Sequence, residues 1–153
     1  MNYRIIAHYL ALVLAIVAVF LLPPLLIAVF RHEVNCAFAF TGTILLMGAA
    51  ALFLYRRKPR RATMYAREGF VLVSLAWILV SVFGAMPFYF SREIPHFVDC
   101  FFETVSGFTT TGATILNDVE RLSRSLLYWR SFTHWLGGMG VLGFLLAIVP
   151  RSG

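Results

Sequence analysis

The stretch with the most distinctive chemistry is a short run of threonine and glycine, Phe108-Thr-Thr-Thr-Gly-Ala-Thr114. Threonine favours extended backbone, and its hydroxyl oxygen can accept hydrogen bonds. Gly112 permits a positive φ, which turns the local carbonyl in a direction that other residues rarely allow. Carbonyl oxygens that line an irregular segment can replace the water around a cation. Such a run can form a cation-binding strand whose ligands are main-chain oxygens, but the run alone is a weak signal, and the elements around it decide the interpretation.

Two carboxylates, Asp99 and Glu103, precede this run and lie four residues apart, so they share one face of a helix. They would repel each other unless a cation or a basic group lies near. A paired-carboxylate hydrolase is one interpretation, but the sequence offers no accompanying nucleophile or metal-binding cluster. The pattern favours a structural role in holding the helix, or in shaping the electric field behind the run.

Three other patterns favour packing over chemistry. Gly138-Met-Gly140-Val-Leu-Gly143 matches a dinucleotide-binding fingerprint, but it lies in an apolar helical segment without a preceding strand, so we expect close helix packing by small residues. The histidines lie in separate segments, and we expect His134 to be a hydrogen-bonded interface residue. Cys36 and Cys100 lack paired spacing and are expected to be small apolar fillers.

The element that must position the threonine run is the short apolar segment before it. His96–Gly107 would form a helix only about 18 Å long, too short to cross a bilayer. We expect Gly107 to end this half-helix, which then points its negative C-terminal dipole at the run. Irregular backbone is tolerated at membrane depth only where it lines water or ions. A helix, a half-helix, an irregular strand and a second helix is the plan of a potassium-channel pore loop.

Four apolar runs are each long enough, at about 30 Å or more, to cross a bilayer as a helix. They are Ile5–Phe30, Cys36–Tyr55, Gly69–Phe90 and Trp129–Val149. The composition agrees, since 60% of the residues are hydrophobic and 13% are charged, against roughly 25% charged in soluble domains. Pro23-Pro24 predicts a kink or break in the first run. The sequence thus predicts an all-α membrane protein.

The basic residues indicate orientation rather than nucleic-acid binding. The formal net charge is +6, and six basic residues lie between Arg56 and Arg67. By the positive-inside rule the loop Arg56–Arg61 is cytoplasmic, which makes Arg31–Asn35 an outer loop and Ser91–Tyr128 either outside or re-entrant. The same basic cluster can also contact anionic lipid headgroups. We therefore expect the lipid bilayer, and no nucleic acid, as a partner.

The segment from Glu103 to Thr114, ETVSGFTTTGAT, resembles the first filter of the TrkH/TrkG/KtrB superfamily of potassium transporters. Three further motifs resemble that superfamily: Arg67-Glu-Gly-Phe70 at the start of the pore's first helix, Ala85-Met-Pro-Phe88 near its end, and Trp135-Leu-Gly-Gly-Met-Gly140 in the second helix. The resemblance covers essentially the whole chain, including the two leading helices.

This resemblance implies a two-helix transmembrane hairpin over residues 1–61 and one pore repeat over residues 62–153, with helix 69–90, half-helix 96–107, filter 109–114 and helix 129–149. It implies potassium uptake across the bacterial inner membrane, with no enzymatic activity and no cofactor besides the transported ion. It also implies gating by a cytoplasmic nucleotide-binding subunit like TrkA. Potassium binding through main-chain carbonyls is assigned by the resemblance to Thr110, Thr111, Gly112 and Ala113.

The superfamily builds its pore from four such hairpins in one longer chain, whereas this sequence holds one. We expect a fragment that lacks the other pore repeats, with assembly of four copies around an axis as the alternative. A second hypothesis, from a different class, is a non-conducting membrane scaffold or anchor in which the threonine run is a surface loop. Potassium-dependent growth of an uptake-deficient bacterium distinguishes transport from scaffolding.

Overall fold

The computed structural model describes residues 2–58 and 63–148, and within these ranges every regular element is a helix. A short 3-10 turn at Val119–Arg121 separates the last two helices. In chain order the α-helices are α1 (Tyr3–Phe20), α2 (Leu22–Phe30), α3 (Val34–Tyr55), α4 (Ala66–Phe90), α5 (Phe97–Phe108) and α6 (Arg124–Ile148). The predicted all-α fold, with a half-helix between the last two long helices, is confirmed.

The first apolar run is divided into two helices that meet at Leu21. Pro23 and Pro24 lie in the first turn of α2, where a missing N–H removes no intrahelical hydrogen bond. The predicted interruption is therefore present, and it falls just before the proline pair. Together α1 and α2 still form one candidate membrane span, Tyr3–Phe30.

Within the described ranges, three stretches are long and apolar enough to cross a membrane: Tyr3–Phe30, Val34–Tyr55 and Ala66–Phe90. Large apolar side chains along them are exposed, for example Phe30 at 80% and Phe38 at 74%. Such surfaces suit lipid rather than water. Helix α6 has 25 residues, as α4 does. The fourth predicted span ends at a residue outside the described ranges, and its crossing of the membrane stays a prediction.

Helix boundaries differ from the predicted ones where side chains or close contacts decide them. Helix α4 begins at Ala66 rather than Gly69, because the Glu68 carboxylate accepts from the Tyr65 N–H (3.1 Å) and caps the first turn. The expectation that Gly107 ends the half-helix is wrong, since α5 continues to Phe108. A Cβ at Gly107 would overlap the Thr133 hydroxyl of α6, so this glycine permits close helix approach instead.

A hydrophobic core joins the leading helices α1–α3 to helices α4–α6, the predicted pore hairpin. It includes Leu14 and Phe40 from the leading helices and Phe88, Phe108 and Trp129 from the hairpin, each at most 2% exposed. Helix α1 packs on α3 and α4, α2 packs on α3 and α6, and α5 lies between α4 and α6. The predicted boundary between residues 61 and 62 lies outside the described residues, and the described side chains on its two sides share this core.

The loops are sorted to the two ends of the bundle. The Asn2 N–H donates to the Glu68 carboxylate (2.5 Å), so the N-terminus lies beside the start of α4. At the opposite end, Glu33 of the α2–α3 turn and Glu93 of the α4–α5 loop both reach the start of α6. This grouping agrees with the predicted topology, in which successive helices cross the membrane in opposite directions. The cytoplasmic side of Arg56–Arg61 stays a prediction, and residues 59–62 lie outside the described ranges.

Candidate functional site

The threonine run begins as the C-terminal cap of α5. The Thr110 N–H donates to the Gly107 carbonyl (3.0 Å) and the Thr111 N–H to the Ser106 carbonyl (2.9 Å). These two bonds define a Schellman motif, whose left-handed position is usually a glycine. Here Thr110 occupies it, with φ 57°. That conformation costs a residue with a Cβ about 1–2 kcal/mol, and strain of this kind concentrates at functional sites.

Gly112 has φ 77°, so the positive φ predicted for this residue is confirmed. A Cβ built on it would lie 4.0 Å from Nε2 of His134, which is ordinary contact distance. The requirement for glycine is therefore set by the backbone dihedral rather than by crowding within this chain. The Gly112 N–H also points back to the Ser106 carbonyl, at 3.4 Å.

All four residues assigned to potassium binding are contiguous and exposed. Within residues 2–58 and 63–148, no hydrogen-bond donor reaches the carbonyl oxygens of Thr110, Thr111 or Gly112. The Ala113 carbonyl differs, because it accepts from the Ser106 hydroxyl at 2.6 Å. Three adjacent carbonyls are thus available to a cation, and the fourth keeps only its second lone pair for one.

The run lies along the middle of α6 rather than at its end. A Cβ at Gly138 would lie 3.9 Å from the Thr110 side chain, and Gly112 faces His134. His134 and Gly138 are ten and fourteen positions after Arg124, the first residue of α6. They therefore lie about 15 and 21 Å along the helix from its start. The location of the run at membrane depth, within a hydrocarbon layer about 30 Å thick, stays a prediction.

Glu103 connects the far end of the run to α6. Its side chain is 1% exposed and accepts from Arg130 Nε at 3.0 Å. The other oxygen accepts from the Thr114 hydroxyl and from the Ile115 N–H (2.7 Å). Asp99, one turn earlier, takes no part in these bonds. The basic group that the carboxylate pair requires is therefore Arg130, and the structural role predicted for the pair is carried by Glu103.

The wall that α6 presents to this site is built from small and polar residues. Nδ1 of His134 lies 3.0 Å from the Arg130 carbonyl, and because a carbonyl only accepts, Nδ1 carries the proton. His134 is thus hydrogen-bonded, as predicted. At Gly137 a Cβ would overlap the Phe108 carbonyl oxygen, a backbone atom. Close packing was expected of the fingerprint glycines, but Gly143 has no atom within 4 Å among the described residues.

Three residues that contribute to the site were not predicted from the sequence. Arg130 is a basic residue at the second position of the predicted apolar run Trp129–Val149, which is the signal that could have paired it with Glu103. Ser106, which orients the Ala113 carbonyl, carries no distinguishing signal in the sequence. The capping of α6 by Glu33 joins residues 91 and 92 positions apart, and no local pattern could reveal it.

The chain matches a protein family over most of its length. The TrkH profile, described as a cation transport protein, matches residues 35–153. The potassium uptake protein TrkG of Escherichia coli K12 is 33% identical over 151 residues, which is 98% of this chain and 31% of that protein. TrkH of the same strain is 35% identical over 156 residues, which is 100% of this chain and 32% of that protein.

A solved structure is similar over the same extent. The crystal structure of the potassium transporter TrkH from Vibrio parahaemolyticus superposes with a TM-score of 0.89 at 31% sequence identity, covering 98% of this chain and 32% of that one. The chain therefore spans about a third of the length of the relatives it matches.

Proposed function

This chain belongs to the TrkH family of cation transport proteins, and on that premise we propose that it supplies one pore hairpin of a potassium uptake system. The observation that carries the proposal is the set of carbonyl oxygens at Thr110, Thr111 and Gly112, which accept no hydrogen bond from the described residues and lie at the C-terminal end of α5. The proposed ion ligands are these three carbonyls together with that of Ala113.

The electrostatics of the hairpin favour a cation at this place. The last carbonyls of α5 and its macrodipole present partial negative charge toward the run. The negative charge of Glu103 is neutralised by Arg130, so the pair holds the backbone without placing a full charge at the ion. Potassium then exchanges part of its hydration shell for carbonyl dipoles, which suits selective but rapid passage.

One hairpin lines one side of an ion path. The run is exposed on the surface of this chain, and we infer that this surface faces an axis around which three further hairpins stand. Those hairpins come from the rest of a longer polypeptide or from other copies. Potassium entering the cell through the completed ring moves down its electrochemical gradient, across the bacterial inner membrane. Opening of the pore is under the control of a cytoplasmic nucleotide-binding subunit of the TrkA type.

The native gene expressed in a potassium-uptake-deficient bacterium tests this function. Growth at low potassium and uptake of rubidium, measured beside uptake of sodium, are the readouts. We expect rescued growth and preference for rubidium. Protein that is inserted in the inner membrane but takes up no rubidium would favour the scaffold hypothesis. Purification with the cytoplasmic subunit, with and without added nucleotide, tests the partner separately.

A further inference from the structure

The N-terminus of α6 is held by two carboxylates from distant parts of the chain. Glu93 accepts from both the N–H (2.9 Å) and the hydroxyl of Ser123. Glu33 accepts from the N–H groups of Arg124 (3.0 Å) and Ser125 (3.2 Å). The Ser125 hydroxyl adds a third bond to Glu33, at 2.5 Å. The first N–H groups of a helix have no intrahelical partner, and negative charge there complements the helix dipole.

The Glu33 side chain accepts hydrogen bonds from α6 and not from α3, the helix that it precedes. It is the N-cap residue of α3, yet its side chain makes no capping bond there. Its backbone is anchored, because the Glu33 N–H donates to the Ala28 carbonyl (2.9 Å) beside His32, whose φ is 56°. The side chain is 16% exposed, and the Arg31 guanidinium lies 3.9 Å away. The turn between α2 and α3 thus presents a fixed, largely buried acceptor to α6.

The leading helices also contact α6 at a second place, further from its N-terminus. The Phe20 ring lies 5.4 Å from that of Phe132 and 6.4 Å from that of Trp135, measured between centroids. Helix α2 also packs on α6. The leading pair of helices therefore holds α6 both at its end and along its side.

A displacement of α6 would be passed to the ion-binding run. Ser125 and Arg130 are five residues apart on one continuous helix, about 8 Å along its axis. Arg130 binds Glu103, and Glu103 in turn holds the backbone of Ile115. Further along, Gly137 packs directly on the backbone that enters the run.

We infer that the leading hairpin of α1–α3 braces the filter, with Glu33 as the positioning residue that sets the axial position of α6. The inference rests on the proposed potassium uptake and deepens it. Glu33 touches no ion, and it acts through α6 and the bond between Arg130 and Glu103. Ion preference, rather than membrane insertion alone, therefore depends on a residue far from the run.

Glu33→Gln in the native gene is the first test. The amide keeps one acceptor oxygen, but its NH₂ group cannot accept from the remaining donors of α6. We expect normal insertion and a fall of about threefold in the ratio of rubidium to sodium uptake. Glu120→Gln, an exposed acid in the same outer region, is the matched control and should leave the ratio unchanged.

Ser125→Ala removes only the hydroxyl partner and keeps the test valid if Glu33→Gln inserts poorly. The double variant should change the ratio by less than the product of the two single effects, because both remove one interaction. An unchanged ratio in Glu33→Gln, or independent effects in the double variant, would overturn the brace while leaving potassium uptake intact. Absence of rubidium uptake by the wild type would instead overturn the proposed function on which the brace rests.

Discussion

Glu103→Gln should destabilise the pore hairpin and weaken ion selectivity together. The substitution keeps the size of the side chain and one oxygen, which can still accept from the Ile115 N–H and the Thr114 hydroxyl. The other oxygen becomes an NH₂ group that faces the Nε–H of Arg130, so two donors meet where an ion pair stood. The Arg130 charge then lacks its partner.

The expected magnitude follows from burial. Removing one partner of a buried ion pair costs about 3–5 kcal/mol, mainly because the other charge is left uncompensated. The Arg130 side chain keeps 16% of its exposure, so some water reaches it, and we expect the lower end, about 3 kcal/mol. Adding Arg130→Met should recover much of this loss, because the uncompensated charge is then gone.

The measurement is the free energy of unfolding in detergent micelles, by denaturant titration, with rubidium and sodium uptake measured in parallel. Asp118→Asn is the matched control, since Asp118 pairs with Arg121 at 3.3 Å but the two side chains are 51% and 86% exposed. Exposed pairs of that kind contribute little. The reasoning is refuted if Glu103→Gln destabilises no more than the control, or if Arg130→Met deepens the loss.

Three further predictions concern the backbone of the site. Gly112→Ala should lower the ratio of rubidium to sodium uptake, because a residue with a Cβ adopts positive φ at a cost of about 1–2 kcal/mol. Expression should stay near normal, because space for the Cβ is available. Thr111→Val should have a milder effect, and the reverse order of the two effects would contradict the assignment of the ion ligands. In unfolding experiments, Thr110→Gly should be more stable than Thr110→Ala by about 1 kcal/mol, because the left-handed cap favours glycine. Gly137→Ala should abolish insertion by backbone overlap, whereas Gly138→Ala, its neighbour with open contact distances, should be tolerated in an expression assay.

The sequence predicted the architecture because hydrophobic length is a local property. Apolar runs of some twenty residues predicted four membrane spans, of which three are membrane-capable helices within the described residues, and one short apolar segment predicted the half-helix. The positive φ of Gly112 was also predictable, because only glycine adopts it without cost. The predicted helix ends were less accurate. Carboxylates cap the starts of α4 and α6, so these helices begin before their apolar residues.

The end of α5 shows what a local sequence pattern does not predict. Gly107 has the residue type of a helix stop, yet it lies one residue inside the end of α5, where the missing Cβ leaves room for Thr133 of α6. The left-handed position went instead to Thr110, a β-branched residue that propensity alone would reject. Both outcomes depend on where α6 lies against α5, and no sequence pattern encodes that distance.

Sequence alone was therefore enough to predict the apolar helices and the irregular segment that follows the half-helix. Tertiary structure decided which groups hold that segment in place. The bonds from Glu33 to Ser125 and from Glu103 to Arg130 join residues 92 and 27 positions apart. Such partners become neighbours only when the helices have packed, because close van der Waals packing sets the helix positions in lipid and the polar bonds then select among nearby geometries.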